Sequence, residues 1–136
     1  MSLERDFEEF EGGPNIASQH KLHVTIRPDG AMYMNLNTHR QLGSPQAVKL
    51  FYSRERDTIA VAPGNPRQPK SFIVKKAQAG GGYWIRSAPF CSHYRIRVSE
   101  TQRFVDAEID AAGYLILDLK RTVNPTSKKW KQRRLG

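Results

Sequence analysis

Two stretches of this chain carry the residue types that hold a polyanion. The run Lys128-Lys129-Trp130-Lys131-Gln132-Arg133-Arg134 interleaves an aromatic ring with bases. Lysine and arginine neutralise phosphates and release counterions, and an indole stacks on an exposed base. The same run also reads as a solvated basic end. Further in, Arg95 and Arg97 flank Ile96 and share a side if extended. With Arg86 and Arg103 they extend a basic face.

Other candidate chemistry is weaker. His20 and His23 are three apart, so on a strand they point to opposite faces, and a metal site is not expected. His39 and His93 read as ordinary surface or half-buried residues. Cys91 lies two residues before His93, a spacing that does not make a helical pair face each other, so the thiol reads as a small buried hydrophobe. Asp106, Glu108 and Asp110 recur every second residue, as on a charged solvent face before a turn. Gly80-Gly81-Gly82 lacks the following Lys-Ser/Thr and the long helix of a phosphate loop, and reads as a turn. No nucleophile, acid–base or metal constellation is left, so no enzyme activity, metal or cofactor is expected.

The charge supports a polyanion partner. The chain has 136 residues, 22 Lys+Arg, 13 Asp+Glu and a net charge of +9. Residues 1–12 carry −4, residues 13–123 carry +8 and residues 124–136 carry +5, so most of the excess belongs to the core. One cysteine excludes an intrachain disulfide framework. No apolar run approaches the roughly 20 residues that span a bilayer, and the acidic N-terminus is unlike a signal peptide. A cytoplasmic protein without a membrane partner is expected.

These residues must be held by short strands. Residues 1–19 read as an acidic leader, 20–123 as one β-rich domain and 124–136 as a basic tail. Leu22, Val24 and Ile26 alternate with polar neighbours, Pro28-Asp29-Gly30 turns the chain, and Met32, Met34 and Leu36 return it. Asn37 is the expected N-cap of a short helix through Leu42, with Gly43 just beyond it. Strands follow at 47–52 and 58–62. Pro63, Gly64, Pro66 and Pro69 predict a linker over 63–70. Strands at 71–76 and 83–86 flank the glycine turn. Ser87 caps a second helix with Pro89 in its first turn, and strands at 101–105 and 114–119 close the chain.

The order of elements in 21–62 recurs in 71–119, with turn glycines Gly30 and Gly82. Each half alone buries too little, whereas two halves can interlock and remove exposed edges. The expected fold is mostly β, a small closed or partly closed barrel of two pseudo-repeated halves with one short helix each.

The first half resembles AbrB-type swapped-hairpin modules. The matching residues are Gly30-Ala-Met-Tyr-Met-Asn-Leu, Arg40-Gln-Leu-Gly43, Val48-Lys-Leu-Phe-Tyr52 and Asp57-Thr-Ile-Ala-Val-Ala-Pro63. A tandem pair in one chain is similar in layout to MraZ proteins. The resemblance implies DNA binding through basic side chains on one sheet face and adjoining turns, with Arg27 and Arg40 at matching positions. The expected function is non-enzymatic nucleic-acid binding, with DNA favoured and transcriptional regulation as the role. The expected contacts are Arg27, Arg40, Arg86, Arg95, Arg97, Lys128, Lys129, Trp130, Lys131, Arg133 and Arg134. The alternative is a structural or protein-interaction module whose basic face meets an acidic protein. A homodimer is compatible with either.

Overall fold

A computed structural model describes residues 22–78 and 81–125. The acidic leader and the run from Lys128 to Arg134 lie outside the described residues. In chain order the elements are β1 (Val24–Ile26), β2 (Met32–Met34), α1 (Leu36–Gln41), β3 (Ala47–Ser53), β4 (Thr58–Gly64) and β5 (Phe72–Lys76). They continue as β6 (Tyr83–Ile85), α2 (Ala88–Tyr94), β7 (Gln102–Phe104), β8 (Glu108–Ile109), β9 (Leu115–Asp118) and β10 (Thr122–Val123). The protein is mostly β, with one short helix in each half.

The strands form one antiparallel ladder in the order β10-β7-β1-β2-β6-β5-β3-β4-β9-β8, curled as an open half-barrel. Both hairpins are inserted into the opposite half. The β1–β2 hairpin lies between β7 and β6, and the β5–β6 hairpin lies between β3 and β2. The last hairpin is long and bent. Near its turn Ile109 faces Leu115 and Glu108 faces Ile116. Further along, Phe104 faces Thr122 and Arg103 faces Val123. At the bend, the Val105 N–H donates to the Arg121 carbonyl at 2.9 Å, and Arg121 pairs with Asp106 at 2.5 Å.

Alternation decides what is inside. Val24, Ile26, Met32, Met34, Val48, Ile59, Val61, Ile85, Phe104, Leu115 and Leu117 are all but inaccessible and form one cluster with Leu42, Phe90 and Cys91 from the helices. Cys91 is buried, as a small hydrophobe should be, and desolvation pushes its thiol up to about 11.

Several local expectations are corrected. The N-cap of α1 is Asn35, whose side-chain oxygen accepts from the Thr38 N–H at 2.9 Å; Asn37 lies inside the helix. The strand β2 therefore ends at Met34 rather than Leu36. The strand β4 continues through Pro63 to Gly64. It tolerates proline because β9 pairs only Thr58–Val61, so beyond that point β4 has an unpaired edge where a missing N–H costs no ladder bond. Ser87 is at the N-cap of α2, but its hydroxyl donates to the Gly30 carbonyl across the fold at 2.6 Å. His39 is buried, not surface-lying. It stacks on Tyr83 of the other half at 3.7 Å between centroids, and its Nε2 lies 2.8 Å from the Pro45 carbonyl.

Candidate nucleic-acid interface

The outer face of β7, β1, β2, β6 and β5 carries one continuous row of side chains. Directly opposite residues of an antiparallel pair share a face. Arg103 faces Thr25, Thr25 faces Tyr33, Tyr33 faces Trp84, and Trp84 faces Lys75. Two residues from Thr25 and from Trp84, one position beyond the strand ends, stand His23 and Arg27 at the ends of β1 and Arg86 at the end of β6, which continued alternation puts on the same face. Most inner positions of these strands are apolar (Ile26, Met32, Met34, Val74, Ile85 and Phe104), with Gln102 and Lys76 at the strand ends as the exceptions, so the outer positions hold most of the polar and aromatic groups.

This row borders a groove with a volume of about 840 Å³. Four cations line it, Arg27, Lys75, Lys76 and Arg86, against one acid, Asp29. The half-buried indole of Trp84 lies among them, and Ala31 leaves room beside it. The Arg27 guanidinium sits 5.1 Å from the Trp84 ring centroid, a cation–π distance. It also pairs with Asp29 at 2.9 Å. Tyr33 packs on Trp84 at 5.2 Å and donates its hydroxyl to the Gly81 carbonyl at 3.1 Å. Both rings are thus fixed in place before any partner arrives.

The turns hold this arrangement. Gly30 adopts φ +89° in the β1–β2 turn, and a Cβ there would lie 2.8 Å from the Ala88 Cα. Asp29 Oδ1 accepts the Ala31 N–H at 3.0 Å, closing the turn, while Oδ2 holds Arg27. His23, edge-on to Tyr33 at 6.3 Å, has its pKa lowered, first by burial and then by the nearby Arg103. It therefore adds no positive charge to the face at neutral pH.

The structure brings together two of the arginines expected from sequence, Arg27 and Arg86, in one groove. Arg40 is exposed in the last turn of α1, and Arg95 and Arg97 are exposed after α2. None of these three lines the groove, and Arg95 adopts a left-handed conformation that ends α2. Sequence reasoning missed Lys75, Lys76, Tyr33 and Trp84. Their signal was present as alternation within β2, β5 and β6, but only register shows that these strands are neighbours.

Among the described residues, no three His, Cys, Asp or Glu side chains converge as a metal site, and no helix is long and apolar enough to cross a membrane. Asp106 pairs with Arg121, and Asp110 closes the turn before β9 by accepting the N–H groups of Ala112 and Tyr114, both at 2.9 Å. No protein-family model, curated protein or solved structure matches the chain.

Proposed function

We propose that this protein is a non-enzymatic nucleic-acid-binding protein whose binding face is the groove on the outer side of β1, β2, β5 and β6. The observation that carries the reading is that Arg27, Lys75, Lys76 and Arg86 line one groove together with Trp84, the Arg27 guanidinium lying over its ring. Clustered cations hold phosphates, and an adjoining aromatic platform suits a base or sugar. A purely acidic protein partner would use the cations and leave the platform idle. The AbrB-type resemblance favours DNA and a regulatory role.

We also propose that this open half-barrel is a partly closed barrel of two pseudo-repeated halves. Exchanging β1 with β5, β2 with β6, β3 with β7 and β4 with β9 maps most of the ladder onto itself. The two ends of the ladder, β10 and β8, both belong to the bent hairpin 102–123, which supports closure through that hairpin. The swapped placement of the hairpins supports the tandem MraZ-like layout.

A binding panel tests the function: duplex DNA, single-stranded DNA, RNA and polyglutamate across a salt series. At least one nucleic acid binds more tightly than polyglutamate at every salt concentration. Equal affinity for polyglutamate throughout removes the reading and leaves the acidic-partner alternative.

A further inference from the structure

Resting on that reading, we infer that the groove takes an unpaired base, stacked on Trp84, so that its ligand is single-stranded nucleic acid. Paired bases in a duplex are already stacked on both faces and offer a protein only their edges. A flat indole on an open sheet cannot use those edges. It is useful to a base that has left the stack, and such platforms serve single strands.

The surroundings fit that ligand. Tyr33 holds one side of the platform, and its hydroxyl is already engaged by Gly81. Lys75 stands directly opposite Trp84 on the neighbouring strand, and Arg86, two residues after Trp84 and just past the end of β6, lines the same groove. The sugar–phosphate backbone on either side of the stacked base therefore meets a cation. In the free protein Arg27 covers the indole and is held by Asp29. The incoming base takes the place of the guanidinium on the ring, and Arg27 exchanges its carboxylate for a phosphate. The ring is covered in both states, so the exposed apolar surface stays small.

The chain has two tryptophans, Trp84 and Trp130. With Trp130→Phe, indole emission reports on Trp84 alone. Titration of this variant of the 136-residue chain with oligothymidylate quenches the emission saturably. At equal salt the single strand binds more tightly than a duplex of the same length. Trp84→Ala weakens the single strand about tenfold, Trp84→Phe restores most of that, and duplex affinity changes less than about twofold. Unfolding midpoints of the variants confirm that each is folded, and the quenching measurement needs no variant at Trp84. Oligothymidylate that binds without quenching, or a Trp84→Ala loss that is the same for both forms, overturns the stacking inference and leaves nucleic-acid binding standing. Failure of every nucleic acid to bind overturns both.

Discussion

Arg27 has two partners, the Trp84 ring and the Asp29 carboxylate, and the second competes with any phosphate. Asp29→Asn removes that competition while keeping the Oδ1 that closes the turn. Nucleic-acid affinity, measured by fluorescence anisotropy, rises roughly three-fold in this variant, the scale of one exposed ion pair. An unchanged or lower affinity would place the phosphate away from Arg27. His23 supplies a pH effect. Its pKa in the fold is below the ordinary 6.5, because burial disfavours the cation and Arg103 repels it. The neutral ring's contribution to stability is complete above about pH 6.5 and is lost as pH falls through the lowered value. Urea unfolding midpoints therefore fall on acidification, and His23→Gln loses less than the parent over the same range. Cys91 follows from desolvation: its thiol, pushed up to about 11, reacts with a thiol reagent slowly in the folded protein and rapidly in denaturant. Burial of Cys91 was legible in its sequence neighbourhood. That of His39 was not, because its stacking partner Tyr83 is 44 positions away in a strand of the other half.

At the scale of elements, glycine and the hairpins decide the geometry. Gly30 combines φ +89° with the close approach of Ala88, so Gly30→Ala strains the turn and pushes on α2. The expected loss is about 3 kcal/mol, from left-handed strain plus overpacking. Chemical denaturation measures it, and a loss below about 1 kcal/mol would mean that the turn and α2 are not in contact. Most elements were legible from local rules: alternation for β1 and β2, turn chemistry at Gly30, a glycine after α1, and proline at the start of α2. The errors have local physical causes. Two asparagines compete to cap α1, and the side chain that reaches the Thr38 N–H is the earlier one, Asn35. Pro63 breaks a central strand but not the free edge of β4. The short strands β8 and β10 follow from the bend of the last hairpin, which no alternation pattern announces.

For the whole molecule, pairing between the halves turns scattered charge into a face. The +8 of residues 13–123 gives an excess without a direction. Only the interleaving of β1–β2 with β5–β6 places Arg27 beside Arg86 and both beside Lys75. Sequence order suggested two similar halves but not which strands would neighbour each other, so the groove could not be read from sequence. The leader's −4 is opposite in sign to the core's +8, so a long-range field from it would oppose a polyanion. Neutralising its −4 by changing Glu4, Glu8, Glu9 and Glu11 to Gln and Asp6 to Asn, with Arg5 also changed to Gln, raises the association rate at low salt, and the gain fades as salt screens it. Stopped-flow mixing with a labelled oligonucleotide reads this directly. A rate unaffected at low salt would show that the leader's charge does not reach the groove.

A footprint in the groove makes the salt dependence of binding rest on the groove's cations. The 136-residue chain is compared with Lys75→Ala/Arg86→Ala, two exposed positions whose replacement leaves the core intact. The plot of log affinity against log salt becomes shallower by up to about two units, because up to two phosphate contacts are lost. Affinity at low salt falls with it. An unchanged slope and affinity in the double variant, with both lost on removal of residues 126–136, would put the footprint on the tail and contradict the account.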